Sequence, residues 1–315
     1  MHYNPDGDAL GSSLALWDFL NNAGHDVRAI APSDYPNFLR WMPGESEVVH
    51  FKKKEKLAMQ LVEEAEIIFC LDFNKLSRLN VMQECVDRST AFFALVDHHI
   101  DPDGFADFML HDAKASSTAE LIYQLLVELA GKEVINENIA SCLYTGIMTD
   151  TGSFRFPSTT PETHLVAAHL IESGANPDTI YNLVNNSFSE FRLRFFGHCL
   201  INKMKILPEY KTAYIYVDRK ELGQFRIGSG DLEGLVNFPL MMRDIQFAAL
   251  ITDRIENIRL SLRSKGEFDV NLVARQHFNG GGHKNAAGGK TTEKLEQTVE
   301  RFETMLPNYK SLLNP

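Results

Sequence analysis

Phe92-Phe93-Ala94-Leu95-Val96-Asp97-His98-His99 decides how the chain is read. The apolar run has the length and composition of a buried strand. Three titratable residues follow at once, and no packing requirement puts Asp-His-His there. Ala91–Val96 therefore reads as a strand with a polar site at its C-terminal end. In open α/β sheets that edge is where ligands bind. Outward from it, Glu66–Leu71 is a second strand-type run, followed by Asp72. Val27–Ala31 is a short apolar run that leads into the Pro-containing loop 32–43. Ala9–Ala23, Ser116–Ala130, Asn136–Met148 and Thr160–Glu172 carry helical spacing. Gly24 and Gly174 stop two of them, and Ser116 or Ser117 supplies an N-cap. Strands alternating with helices predict a parallel α/β sheet.

The second half has a different rhythm. Asp178–Asn185 and Glu190–Lys203 read as helices. Thr212–Val217, Ile245–Thr252 and Asn257–Arg263 read as strands with short connections, and Val270–Phe278 and Thr292–Leu306 as helices. The expected architecture is an α/β N-terminal domain over residues 1–187, with a parallel sheet and helices on both faces. A connector helix and linker follow over 188–207, then a smaller α+β domain over 208–315. The active-site cleft is expected between the two domains.

At 315 residues the chain can bury a core in each domain. No apolar run reaches the ~20 residues needed to span a bilayer, and the start lacks the basic and apolar regions of a secretory signal. Cys70, Cys85, Cys142 and Cys199 form no CxxC pair, so they read as free thiols in a reducing cytoplasm. A net charge of −11 disfavours gripping long duplex DNA and suits a short anionic substrate held locally.

Asp and His fall in four clusters: His2, Asp6 and Asp8 ahead of a helix, Asp72 after a strand, Asp97-His98-His99 after a strand, and Asp150 at a helix end. Taken alone, Asp6 and Asp8 beside Pro5 and Gly7 read as a turn and an N-cap. Taken together, so many carboxylates and imidazoles on one edge would repel or desolvate one another unless cations held them. Mixed Asp/His donors suit Mn²⁺ or similar ions better than thiolate-seeking metals.

The pattern resembles the DHH phosphoesterase superfamily. Its Asp-His-His is similar to Asp97-His98-His99, its first motif to His2–Ser12, and its fourth to Thr145–Gly152. Gly280-Gly281-Gly282-His283 with Ala286-Ala287-Gly288-Gly289 resembles the DHH-associated C-terminal domain. Residues 115–121 and 152–156 add likeness to short bacterial oligoribonucleases that are also pAp phosphatases.

The resemblance implies two Mn²⁺ ions, with Mg²⁺ or Co²⁺ as substitutes. His2, Asp6 and Asp72 would hold one. Asp8, Asp72, His98 and Asp150 would hold the other, and a bridging carboxylate suits ions ~3.5–4 Å apart. Asp72, Asp97 and His99 form the implied catalytic set: His99 faces the substrate and the leaving oxygen, and Asp97 orients an imidazole. Arg263, Gly281, Gly282, His283, Arg155 and Ser117 are the implied substrate-binding residues. The implied partners are short RNA oligonucleotides, pAp or related nucleotides, and a second copy in a homodimer. Cyclic di-AMP or pApA phosphodiesterase, exopolyphosphatase and a non-catalytic nucleotide-binding module remain as alternatives. The resemblance also implies a strand directly ahead of the first motif. Only Met1 precedes His2, so an open sheet edge and a loose His2–Asp8 loop are expected.

Overall fold

Parallel pairing organises the first of two units, Met1–Ser187 and Phe188–Pro315. The structure, a computed structural model, describes residues 1–228, 230–255 and 257–314. Strands β1 (Ile30–Ala31) and β2 (Val49–His50) form a parallel pair. Strands β3 (Ile67–Leu71), β4 (Phe92–Asp97) and β5 (Phe108–His111) form a parallel sheet in that order. The helices are α1 (Gly7–Asn22), α2 (Glu55–Glu64), α3 (Gln83–Asp87), α4 (Thr118–Ala130), α5 (Glu137–Asp150), α6 (Pro161–Glu172) and α7 (Pro177–Asn185).

Successive strand residues point to opposite faces, and here they enter two different cores. Leu71 and Val96 pack with Leu10 and Leu14 of α1 and Ile122 of α4. Cys70 and Leu95 pack with Ala58 and Val62 of α2 and Val86 of α3. Helices therefore cover both faces, as the sequence predicts, and both strand ends with their polar residues emerge on one edge.

Helices α1 and α5 meet backbone to backbone. A Cβ on Gly11 would stand 2.4 Å from the Cys142 carbonyl oxygen. One on Gly146 would stand 2.6 Å from Ala119 Cβ and 3.0 Å from Asp8 Oδ1. These two glycines let the first-motif helix approach closely enough for Asp8 to reach the start of α4.

The second unit is built on a mixed sheet in the order β10-β11-β9-β8-β7-β6. Its strands are β6 (Met204–Leu207), β7 (Thr212–Val217), β8 (Phe247–Asp253), β9 (Ile258–Ser264), β10 (Gly281–His283) and β11 (Ala286–Thr291). Among the described residues of this sheet, only β7 and β8 run parallel. Its helices are α8 (Glu190–His198), α9 (Arg219–Gln224), α10 (Val270–His277), α11 (Leu295–Met305) and α12 (Lys310–Leu313). Tyr214, Phe247 and Leu260 face α10 and α11, while Ile215, Ala248 and Leu250 face Phe195 and Phe196 of α8. The segment read from sequence as a connector helix thus packs into this second core.

Two readings of local structure change. The glycine run, for which the sequence predicts no strand, forms one arm of a hairpin strand pair. Gly and Ala have low strand propensity, so β10 and β11 carry no sequence signal. The helix expected over Glu190–Lys203 ends at His198 and loosens into a π-turn over Cys199–Lys203. Among the described residues, no helix is long and apolar enough to cross a membrane.

Gly11→Ala is expected to destabilise the protein by about 1–3 kcal/mol, because the opposing atom is backbone and cannot swing away. Gly197→Ala on α8, where an added Cβ meets nothing within 4 Å, should be neutral or stabilise by about 0.5–1 kcal/mol. Thermal unfolding of both variants beside the wild type checks the contrast.

Candidate metal centre

The centre is assembled from chain ends and helix ends. Asp6 caps α1, its Oδ1 accepting from the amides of Asp8 and Ala9 at 3.1 and 3.0 Å. The loop before it is not loose: the Tyr3 amide donates to the Arg78 carbonyl at 2.8 Å and the Asn4 amide to Ser33 Oγ at 2.7 Å. Asp72 follows β3 with φ 63°, a left-handed conformation that Asp tolerates better than most residues. Its amide still donates to Val96 at 3.1 Å, so the strand is extended while the carboxylate turns across the sheet edge.

Asp8 is buried at the N-terminus of α4. The amides of Thr118 and Ala119 donate to its two oxygens at 2.7 and 2.8 Å. The helix dipole adds to these bonds. Thr118 Oγ1 donates to Asp72 Oδ1 at 3.1 Å. Asp97 is fully buried and accepts twice from one residue, the His99 amide at 3.1 Å and His99 Nδ1 at 2.8 Å. That bond fixes a proton on Nδ1 and sets the ring's direction. The His99 carbonyl accepts from His111 Nε2 at 2.6 Å. His98 Nδ1 faces the Ala115 carbonyl at 3.3 Å, which turns Nε2 toward the carboxylates.

Asp72 is shared. His2 Nε2 lies 3.3 Å from Asp72 Oδ2 and 3.9 Å from Asp6 Oδ2. His98 Nε2 lies 3.7 Å from Asp72 Oδ1, 3.8 Å from Asp8 Oδ2 and 3.5 Å from Asp150 Oδ2. These separations are too long for good hydrogen bonds, and buried His2 Nε2 makes none. They are close to the roughly 3 Å between adjacent donors around an octahedral divalent ion. Two donor sets, His2/Asp6/Asp72 and Asp8/Asp72/His98, each keep their atoms within 4.8 Å of one another. The donor chemistry therefore fits a pair of divalent cations.

The electrostatics agree. Burial pushes the Asp8 carboxyl well above its ordinary value, and the carboxylates of Asp72 and Asp150 push it further. Burial would raise Asp72 as well, but the imidazoles of His2, His99 and His98 outweigh it and hold Asp72 far below the usual range. Burial lowers His98, yet Asp8, Asp72 and Asp97 reverse this and raise it.

Of the remaining sequence candidates, Ser117 lies beside the centre at the start of α4 and the others lie outside these two donor sets. Ser117 is fully buried, and its Oγ caps α4 by accepting from the Glu120 amide at 3.1 Å. Arg155 is exposed, its guanidinium 5.3 Å over the Phe156 ring. In the second unit, Ala286 pairs with His283 on one side and Arg263 on the other. The two side chains therefore share a face of the sheet, with one methyl group between them. Gly281 and Gly282 lie in β10, and the Gly282 amide donates to Asn271 Oδ1 at 3.0 Å. A Cβ on Gly282 would meet the Ala286 carbonyl oxygen at 2.6 Å, so this glycine serves the hairpin itself.

Comparison with known proteins agrees with this geometry. Residues 1–147 match the model of the DHH family, N-terminal domain, and residues 209–308 that of the DHHA1 domain. The bifunctional oligoribonuclease and PAP phosphatase NrnA of Thermus thermophilus is 31% identical over 312 residues, which is 95% of this chain and 86% of that protein. The chain belongs to the DHH family. As a DHH-family member it is a phosphoester hydrolase with a metal-dependent chemistry. The Bacillus subtilis protein of the same name is 28% identical, covering 96% of this chain and 92% of that one. A crystal structure of an exopolyphosphatase-related protein from Bacteroides fragilis superposes with a TM-score of 0.95 at 39% identity, covering 100% of this chain and 92% of that one. In this DHH chain, both family domains fall within the two units built above.

Divalent-ion binding should tighten as pH rises. Asp8 and His98 both have raised proton affinity, so each must release a proton to become a ligand. Asp72, held low, is already ionised and releases none. Titration calorimetry with Mn²⁺ in two buffers of different ionisation enthalpy should show net proton release and an affinity that falls toward acid pH.

Proposed function

We propose that the chain is a Mn²⁺-dependent phosphoesterase that hydrolyses very short oligoribonucleotides to mononucleotides and removes the 3′-phosphate of pAp to give AMP. The observation that carries this is the single buried carboxylate, Asp72, shared by two Asp/His donor sets. The full-length relatives named as bifunctional oligoribonuclease and PAP phosphatase supply the substrate class.

On this reading His2, Asp6 and Asp72 hold one ion, and Asp8, Asp72, His98 and Asp150 the other. Bound there, such ions acidify water and neutralise charge on phosphoryl oxygens. Mg²⁺ or Co²⁺ would substitute. The chain's own groups do the rest. The α4 amides hold and aim the Asp8 carboxylate. Asp97 fixes the His99 ring through Nδ1 and leaves Nε2 to face a phosphate or leaving oxygen, the orienting role a buried carboxylate plays toward an imidazole in acyl transfer. Arg263 and His283 are assigned to a substrate phosphate, Arg263 by bidentate donation, with Gly281, Gly282 and Arg155 as further contacts. Ser117 Oγ accepts from the Glu120 amide as the α4 cap, and its hydroxyl proton is assigned to the substrate side. Free cysteines, three of them buried, fit a reducing cytoplasmic setting.

The test is hydrolysis of pAp, two-to-five-nucleotide RNA, pApA, cyclic di-AMP and polyphosphate with Mn²⁺. Turnover is expected on pAp and short RNA. Asp72→Asn and His98→Ala should each lose more than the ~10–100-fold typical of an outer-shell change. Arg263→Ala should raise KM for pAp about tenfold with kcat kept. A dominant rate on cyclic di-AMP or polyphosphate would replace this substrate assignment. Tight nucleotide binding without any turnover would overturn the catalytic one.

A further inference from the structure

Glu120 is a buried carboxylate for which the mechanism above has no use. It stands three residues after the N-cap Ser117, where a capping-box Glu would reach back to the N-cap amide. Here it does something else. Its Oε2 accepts from the Ser116 amide at 3.2 Å, from Ser116 Oγ in a short bond, and from Thr163 Oγ1 at 3.1 Å. Thr163 is itself fixed in the capping box that opens α6. Glu120 therefore clamps the loop residue just before α4 to the first turn of α6.

The clamped segment touches the centre on both sides. One residue earlier, the Ala115 carbonyl faces His98 Nδ1. Two and three residues later, the amides of Thr118 and Ala119 hold Asp8, and Thr118 Oγ1 holds Asp72. Residues 115–119 thus set the ring orientation of one donor and the carboxylate positions of two more. Within this stretch, Ser117 is spent on the helix cap, so Ser116 is the residue through which an outside side chain can anchor it.

We propose that Glu120 is a positioning residue that sets divalent-ion affinity by fixing residues 115–119 against His98, Asp8 and Asp72. This rests on the metal-centre reading above. Outer-shell partners of this kind typically change metal affinity about 10–100-fold when removed.

The experiment is Mn²⁺ titration calorimetry on the full chain, with pAp kinetics at several Mn²⁺ concentrations. Glu120→Ala should weaken Mn²⁺ binding about 10–100-fold, and kcat should return as Mn²⁺ is raised, with KM for pAp unchanged. Glu120→Gln keeps a carbonyl oxygen for Ser116 and Thr163 and should bind within about threefold of wild type. Glu120→Ala with wild-type Mn²⁺ affinity, whatever its melting temperature, overturns the proposal. So does a Gln variant as weak as the Ala variant. If Glu120→Ala does not fold, Thr163→Val decides: several-fold weaker Mn²⁺ binding supports the clamp, and unchanged binding overturns it. Wild-type protein that binds no Mn²⁺ would instead overturn the metal-centre reading itself.

Discussion

Carboxylate burial is the constraint from which this structure follows. Asp8, Asp72 and Asp97 are withdrawn from water within reach of three imidazoles. An isolated buried carboxylate is costly. Each of these is compensated differently: Asp8 by helix-end amides, Asp97 by two donors from one histidine, Asp72 by imidazoles and a threonine. The compensation fixes where α4 must begin, how closely α1 must approach α5, and how β3 must end. The fold of the first unit is to a large degree the arrangement that keeps these charges tolerable until cations share them.

The parts of this arrangement that side-chain identity marks were legible in the sequence. A run of apolar residues ending in Asp-His-His is hard to read as anything but a strand meeting a site, and β3 with Asp72 repeats the signal. The helices α4, α5 and α6 carry both spacing and caps. What escaped reading was of two kinds. Strands β10 and β11 are built from Gly, Ala, His, Lys and Thr, and their pairing depends on close backbone approach, which leaves no periodic trace. The donors to Asp8 are main-chain amides, which every residue but proline has. No residue type announces them. Glu120 did stand in a recognisable Ser-x-x-Glu pattern, but the pattern predicts a helix cap, and the fold uses the side chain one residue off from that role.

Arg263 and His283 in the second unit show the opposite difficulty. Arg263 and His283 are apart in sequence, and nothing in their neighbourhoods links them. Only the register of β9, β11 and β10 puts them on one face, on either side of Ala286. One small residue, Ala286, stands between them. The glycines of β10 let two strands touch.

The amide of Thr118 and the carboxylate of Asp8 are 110 positions apart along the chain. Asp150, facing His98, arrives later still. During synthesis Asp8 precedes its partners, and it has no amides to hold it until α4 has left the ribosome. Contacts of such long sequence separation form slowly and late. Through that interval the Asp8 carboxylate lacks the helix end that holds it in the folded protein. The centre is thus one of the last features the first unit can complete, and its completion reports that the whole of residues 2–150 has folded.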